Sequence, residues 1–270
     1  MGVALPRWSD DELENFYTGG DFWNKRESEL LSPRTYPVPY ALALSRWKII
    51  EPFFEKRPDG ISILDIGAGH GFLGMAAAQS NGPNLLSYTC VEKDRFLRES
   101  ISRTWQAKDF PGGVRVVNSL DQADGLYDCI VLSQVLEHLT EPRDFLRSAL
   151  SKLAKRGCVY IDVPNQDYRF KKNVFPHLLF FNRDCLKLLM QGCGIQVSAI
   201  GCYGNSMNAS PLHFSKKMAV ERILGQIISR FRILLTEKWL IAFFSRYFDM
   251  DRQNDQGVWI RAIGQPAEKS

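Results

Sequence analysis

Hydrophobic and polar positions change period along this chain. In residues 1–56 the apolar side chains recur at helical spacing. Ser9 followed by Glu12 spells a capping box and predicts a helix from about Asp10, stopped by Gly19-Gly20. A second short helix is predicted near DFWNKRESELL, ending before Ser32-Pro33, and Pro33, Pro37 and Pro39 predict an extended stretch after it. Helical spacing returns from Tyr40 to Ile50, with Leu42, Trp47, Ile49 and Ile50 mostly on one side, and Pro52 kinks or ends it. The aromatic residues here, Tyr17, Phe22, Trp23 and Tyr36, read first as packing residues and second as the lining of a pocket.

After RPDG short aliphatic runs alternate with amphipathic ones. The predicted strands are 61–66, SYTCV up to Glu92, VRVVN, YDCIVLS, CVYIDV, IQVSAIG and VWIRAIG. Between them lie predicted helices over about 72–80, over DRFLRESISRTWQ, and from Thr140 with Pro142 in the first turn to Lys155, closed by Arg156-Gly157. Strands that are apolar on both faces, alternating with helices, predict a doubly wound α/β sheet. Residues 202–256 interrupt the alternation. Val220, Ile223, Leu224, Ile227, Ile228, Phe231 and Leu234 form one stripe, with Lys216, Lys217, Arg222 and Arg230 mostly off it, and EKWLIAFFSRYF follows. The organisation read from the chain is a helical N-terminal cap (1–56), a core (57–201 and 257–270) and a helical insertion (202–256).

Charge sharpens the picture of the insertion. The whole chain carries +4, while residues 214–248 carry seven Lys/Arg against two Glu, a net +5, which leaves −1 for the remainder. That total is too small to point to nucleic acid as a partner. The insertion reads in three ways: a packed lid or homodimer face, a basic amphipathic helix on a membrane surface through 214–248, or a cradle for an anionic acceptor using Arg230, Arg232 or Lys238. The six cysteines form no CxxC pair and three of them sit inside apolar runs. With the four histidines scattered, no metal site is expected, and reduced core cysteines fit a cytoplasmic protein. The opening MGVALPRWSDDELE has no secretory apolar region, and no apolar run approaches a membrane span.

The candidate chemistry centres on ISILDIGAGHG. Asp65 ends the first strand, and Gly67, Gly69 and Gly71 open a tight turn into a helix, the arrangement of a nucleoside-binding loop. Glu92 ends the second strand, 21 residues after Gly71, where a carboxylate can accept from two ribose hydroxyls. A dinucleotide fingerprint needs glycine at 72, where Phe72 stands, and the Asp65 carboxylate would repel pyrophosphate. Both features suit a cationic sulfonium ligand.

ILDIGAGHGFLG, VEKD and YDCIVLSQVLEHLTEPRDFLRSALSKLAKRGCVYIDVPN together resemble the class I S-adenosylmethionine-dependent methyltransferases, in the small-molecule group that includes ubiquinone-biosynthesis and sugar O-methyltransferases. The resemblance covers roughly residues 60–200 and 257–264. It implies a Rossmann-like seven-stranded sheet with helices on both faces, whose last strand is antiparallel and inserted between the fifth and sixth. It implies S-adenosyl-L-methionine as cofactor and a small-molecule acceptor, with methyl transfer most often to oxygen. Gly67, Ala68, Gly69 and Gly71 would wrap the methionine and ribose portion, Asp65 would orient the amino group, and Glu92 would hold the ribose. Lys93 would pack beside the adenine, Ser119 and Leu120 would frame it, and Gln134 would face the methyl-donor end. Asn118 and Asp121 are both candidates for reading the adenine amino group. His138 and His177 are the candidate catalytic bases, whereas His70 faces solvent or cofactor and His213 opens the insertion. An N-methyltransferase and a non-catalytic partner that binds the same cofactor are the alternatives. NAD-linked oxidoreduction is remote because of Phe72 and Asp65, and a nucleic-acid enzyme is remote because SQVLEH stands where an N/D-P-P-Y/F element would follow the fourth strand.

Overall fold

The computed structural model describes residues 2–3, 9, 11–12, 15–16, 31, 36–54, 57, 59–80, 84–171, 173–206, 236–248 and 250–267. The expected short helix near 21–31, Tyr17, Phe22, Trp23, His213, Arg230, Arg232 and the stripe from Val220 to Leu234 lie outside them.

Seven strands form one sheet: β1 (Ile61–Ile66), β2 (Leu85–Val91), β3 (Gly113–Val117), β4 (Tyr127–Ser133), β5 (Leu153–Pro164), β6 (Ile195–Ser206) and β7 (Gly257–Pro266). Their spatial order is β3-β2-β1-β4-β5-β7-β6. β1 to β5 are parallel, and β7 runs antiparallel to both β5 and β6. The expected return of the last strand between the fifth and sixth is therefore present. The strand order reverses between β1 and β4, which opens a crevice at their carboxyl ends.

Residues alternate between two apolar layers along every central strand. Leu64, Ile130, Leu132, Val159 and Ile161 pack on one face with Leu146 and Ala149 of α4 (Pro142–Leu150) and with Leu186 and Met190 of α5 (Arg183–Gly192). Ile61, Ile63, Cys129, Val131 and Tyr160 pack on the other face against α1 (Pro37–Ile50), α2 (Phe72–Ala78) and α3 (Arg95–Lys108). Burial of one such aliphatic side chain stabilises by about 1.5–3 kcal/mol, so each layer alone holds the sheet firmly. From α1, Tyr40, Trp47 and Ile50 sit in this second layer. The N-terminal region expected as a cap thus contributes a helix to the core itself.

The capping box is formed. The Glu12 amide donates to Ser9 Oγ, and the Ser9 amide donates to Glu12 Oε2 at 2.8 Å. Three local expectations are corrected. Pro37 and Pro39 do not extend the chain: they start α1, because proline fits the first turn of a helix, where no amide partner is needed. The helix after Thr140 begins at Pro142, capped by the Glu141 backbone alone, and stops at Leu150 rather than Lys155. Residues 153–157, including Arg156-Gly157, belong to β5, which pairs with Tyr127 through Leu153. Strand β6 also runs on to Ser206, five residues into the expected insertion. The last helix, α6 (Glu237–Tyr247), is capped by Thr236 and lays Leu240 and Phe244 on Ala41 of α1 and on Met250.

No helix among the described residues is long and apolar enough to cross a membrane.

Candidate cofactor and acceptor site

The glycine loop follows β1 at the switch point. Gly67, Gly69 and Gly71 have φ of +68°, +56° and +69°, a left-handed geometry that costs other residues strain. Gly67 is also pressed from the side, since a Cβ there would lie 2.6 Å from Val135 Cγ2. This contact brings the loop against the turn after β4. At Gly69 a Cβ would meet nothing within 4 Å, so the loop faces open space there. Gly71 caps α2 without a side-chain bond, which leaves the first amides of that helix uncovered by any cap. His70 stacks on Phe72 and lies 4.6 Å from the Tyr36 ring, and burial pushes its pKa down to about 4. It is a neutral wall of the loop, packed by a residue from the N-terminal region.

Two carboxylates flank this opening. Glu92, at the end of β2, accepts from the Gly69 amide at 2.8 Å and from the Asp94 amide at 3.0 Å, one bond to each oxygen. Burial raises its pKa and the two amides oppose the rise. Each oxygen keeps a lone pair for a ribose hydroxyl. Asp65 is buried and accepts from the Tyr88 hydroxyl. Burial pushes its pKa up to about 7, against the pull of Tyr88 and of the Arg46 guanidinium. The protonated form therefore favours the folded chain below about pH 4, and that contribution is lost as pH rises through about 7.

A buried ionic hub at the carboxyl end of β5 completes this side. Asp162 Oδ2 lies 2.7 Å from Arg46 Nε and 3.6 Å from Arg261 Nε, and Oδ1 accepts from Gln134 Nε2 at 2.9 Å. Gln134 itself has φ +58°, and its amide donates to the Asp162 carbonyl at 2.7 Å. Arg261 Nη1 reaches Ser45 and the Met250 carbonyl, while its guanidinium lies 4.9 Å from the Tyr203 ring. Arg46, Asp162 and Arg261 were not singled out from the sequence. A signal existed: Asp162 and Arg261 are lone charges in strands expected to be buried on both faces, and such charges must pair. They stand opposite each other in the β5–β7 register.

The two candidate histidines lie beyond β4 and β5. His138 and His177 meet edge to face, 4.8 Å between centroids, although 39 positions separate them in sequence. Burial and the neighbouring His177 push the His138 pKa down to about 3, so it is neutral and a weak base. His177 Nδ1 lies 2.8 Å from Asp167 Oδ2, by a bent approach, and Lys171 Nζ lies 2.9 Å from the same oxygen. Burial raises the Asp167 carboxyl, but these two contacts outweigh it and hold the acid below its usual range. Glu137 is fully buried with neither carboxyl oxygen hydrogen-bonded, and burial pushes its pKa well up. Donor atoms of Glu137, His138 and His177 lie within 4.8 Å of one another, close enough for one metal ion, whereas the spacing in the sequence points to none. Any such ion would have to displace the Glu137 proton. Gly2–Val3 pairs with Leu179–Phe180, and Phe16 meets Phe175 edge on, so N-terminal residues wall this side too.

The remaining expected residues fall unevenly. Lys93 and Asp121 are exposed beside the crevice, Ser119 is half-buried, and Ala68 lies in the loop next to Gly67. Leu120 turns its side chain into the core with Val91 and Val117, so that side chain is not free to frame a ligand. The Asn118 amide donates to Gln122 Oε1 at 3.2 Å.

A family model described as a methyltransferase domain matches residues 38–199. The mitochondrial ubiquinone biosynthesis O-methyltransferase of Saccharomyces cerevisiae is 26% identical over 122 residues, 44% of this chain. The match spans only 38% of that relative's length. Among solved structures, coclaurine N-methyltransferase bound to N-methylheliamine and SAH aligns with a TM-score of 0.55 at 17% identity, covering 98% of this chain and 82% of that one. The YcgJ protein from Bacillus subtilis aligns at 0.52 and 16%, covering 83% and 99%. The [4+2]-cyclase SpnF aligns at 0.52 and 13%, covering 83% and 81%. At these identities the structural likenesses show the fold alone. The family match covers more than half of the chain, and with the sheet order and glycine loop it settles membership: this chain belongs to the methyltransferase-domain family, in its class I, S-adenosylmethionine-dependent form.

Proposed function

We propose that this chain transfers a methyl group from S-adenosyl-L-methionine to a small-molecule acceptor, with oxygen as the target atom. The observation that carries the reading is the open Gly69 beside Glu92, whose carboxylate is held in place by two backbone amides. Bound there, the cofactor supplies an electrophilic methyl group on a cationic sulfur. Glu92 accepts from the ribose, Lys93 packs beside the adenine, and the backbone at Ser119 and Leu120 frames it. Asp65 and Arg46 offer opposite charges to the amino and carboxylate groups of an amino-acid tail. Asp162 holds Gln134 at the methyl-donor end. His177 takes the acceptor proton, since Asp167 is ionised beside its Nδ1 and leaves Nε2 to accept. His138, held neutral by burial, packs His177 in place.

Two results test this. In a methyl-release assay at saturating cofactor on hydroxyl and amine acceptors, His177→Ala should lower turnover by about 100-fold, the usual worth of a positioned base. His138→Ala should cost less. Undiminished turnover in both variants would remove histidine base catalysis, and cofactor binding without turnover on any acceptor would favour a non-catalytic partner. The second result is a pH dependence. A cationic amino group binds the ionised form of Asp65, so cofactor affinity should rise by about tenfold between pH 6 and 8, as the competent fraction grows from about a tenth to about nine tenths. Calorimetric titration at several pH values measures this, and Asp65→Asn should flatten it.

A further inference from the structure

Glu92 is pinned from several sides, mostly by backbone. Its amide donates to the Val117 carbonyl of β3 at 2.9 Å. Its two carboxylate oxygens accept from the amides of Gly69 and Asp94. Its carbonyl has a different kind of partner: Arg98 Nη1 donates to it at 2.9 Å, and the same nitrogen donates to the next carbonyl, that of Lys93. Arg98 stands in the first turn of α3, whose cap is Asp94, accepting from the Leu97 amide. The aligned peptide dipoles disfavour a cation there. The helix buries Leu97, Ile101, Thr104 and Trp105, which fixes the direction in which Arg98 leaves it. Helical side chains lean toward the N-terminus, so the guanidinium is carried back over the turn that precedes the helix. Arg95, one turn earlier, takes the ordinary surface role and pairs with Glu99 at 2.8 Å. Arg98 is half-buried instead, on the two carbonyls.

We propose that Arg98 is a positioning residue for the cofactor, acting through the Glu92–Lys93 turn. One NH2 group has two hydrogens, and here they go to two successive carbonyls, which fixes both peptide planes of the turn. With those planes fixed, the Glu92 carboxylate stays aimed at the ribose hydroxyls and Lys93 stays beside the adenine. Without the guanidinium, the Glu92 carbonyl loses its charged donor and the turn is held only by the amide contacts. The inference rests on the reading of Glu92 as the group that holds the ribose. It needs no assumption about the acceptor, because cofactor binding alone reports it.

Calorimetric titration of S-adenosylhomocysteine into the full chain and its variants tests it. Arg98→Met keeps an unbranched stem without donors and should weaken binding by about tenfold, from the loss of charge-assisted bonds that hold the turn. Arg98→Lys keeps a cationic donor and should recover part of that loss. The melting temperature of Arg98→Met should stay close to that of the native chain, because removing a cation from a helix N-terminus offsets the lost bonds. The decisive readout is a double-mutant cycle. In a Glu92→Gln background Arg98→Met should cost well under tenfold, since it acts through the carboxylate already replaced. Native affinity in Arg98→Met, with binding weakened in Glu92→Gln, overturns the inference and leaves the reading of Glu92 standing. An equal loss in both backgrounds also overturns it, by making Arg98 a residue of the fold at large. Native affinity in both single variants removes the Glu92 reading and this inference with it.

Discussion

Replacing Glu92 with alanine should weaken cofactor binding by at least about 100-fold. A carboxylate that accepts from two ribose hydroxyls makes two charge-assisted hydrogen bonds, each worth about 1.5–3 kcal/mol, and 2.7 kcal/mol is already a factor of about 100. The same change frees the amides of Gly69 and Asp94, which Glu92 now holds, so the loop loses its preorganised shape as well. Glutamine at this position keeps one acceptor oxygen and should lose less. Glu92 is buried just past the end of β2, so leaving the two amides without an acceptor should also cost about 1–3 kcal/mol of stability, and the variant should melt a few degrees lower but still cooperatively. Titration of S-adenosylhomocysteine into both variants separates the contributions. Wild-type affinity in Glu92→Ala would mean that the ribose is held elsewhere.

The second large effect concerns stability. Asp162→Ala should destabilise the chain by about 3–5 kcal/mol, the usual result of removing one partner from a buried ion pair. Arg261 is fully buried and Arg46 nearly so, and both would keep a positive charge with no anion in contact. Asp162 joins three separate regions: α1 through Arg46, β7 through Arg261, and the turn after β4 through Gln134. For a chain of this size the loss corresponds to a fall in melting temperature of roughly 10 °C. A double-mutant cycle gives the argument its specificity. Arg46→Ala with Asp162→Ala should cost less than the sum of the single changes, because the second truncation removes a charge the first left stranded. Strict additivity, or an unchanged melting temperature in Asp162→Ala, would show that the hub carries no net stability.

Much of this architecture was legible because the core obeys simple periodicities. Strands buried on both faces give apolar runs such as CIVLS and CVYIDV, and glycine is needed wherever φ turns positive beside a ligand. Asp65, the three loop glycines and Glu92 follow from those two facts. What periodicity cannot supply is contact across the fold. Arg46 reads as a polar position on a helix and becomes a site residue only because α1 packs beside β1 and β5. Asp167 sits near His177 through a short loop whose path no local pattern fixes. His138 and His177 each read as a candidate base from the sequence, but their contact depends on how the segment after β5 returns past the turn after β4. Helix ends failed for a different reason. Pro37 can start a helix or extend a chain, and the choice is made by the apolar layer that α1 joins. The stop at Leu150 is likewise set by the pairing of Leu153 with Tyr127, a tertiary bond, rather than by Lys155 or Gly157.

The most direct test of the central claim is a calorimetric titration of S-adenosylhomocysteine into the full chain and into Glu92→Ala. The expected result is saturable one-to-one binding to the native chain, lost in the variant while it still melts as a cooperatively folded protein. No binding to the native chain, or equal binding to both, would contradict a cofactor seated between the glycine loop and Glu92.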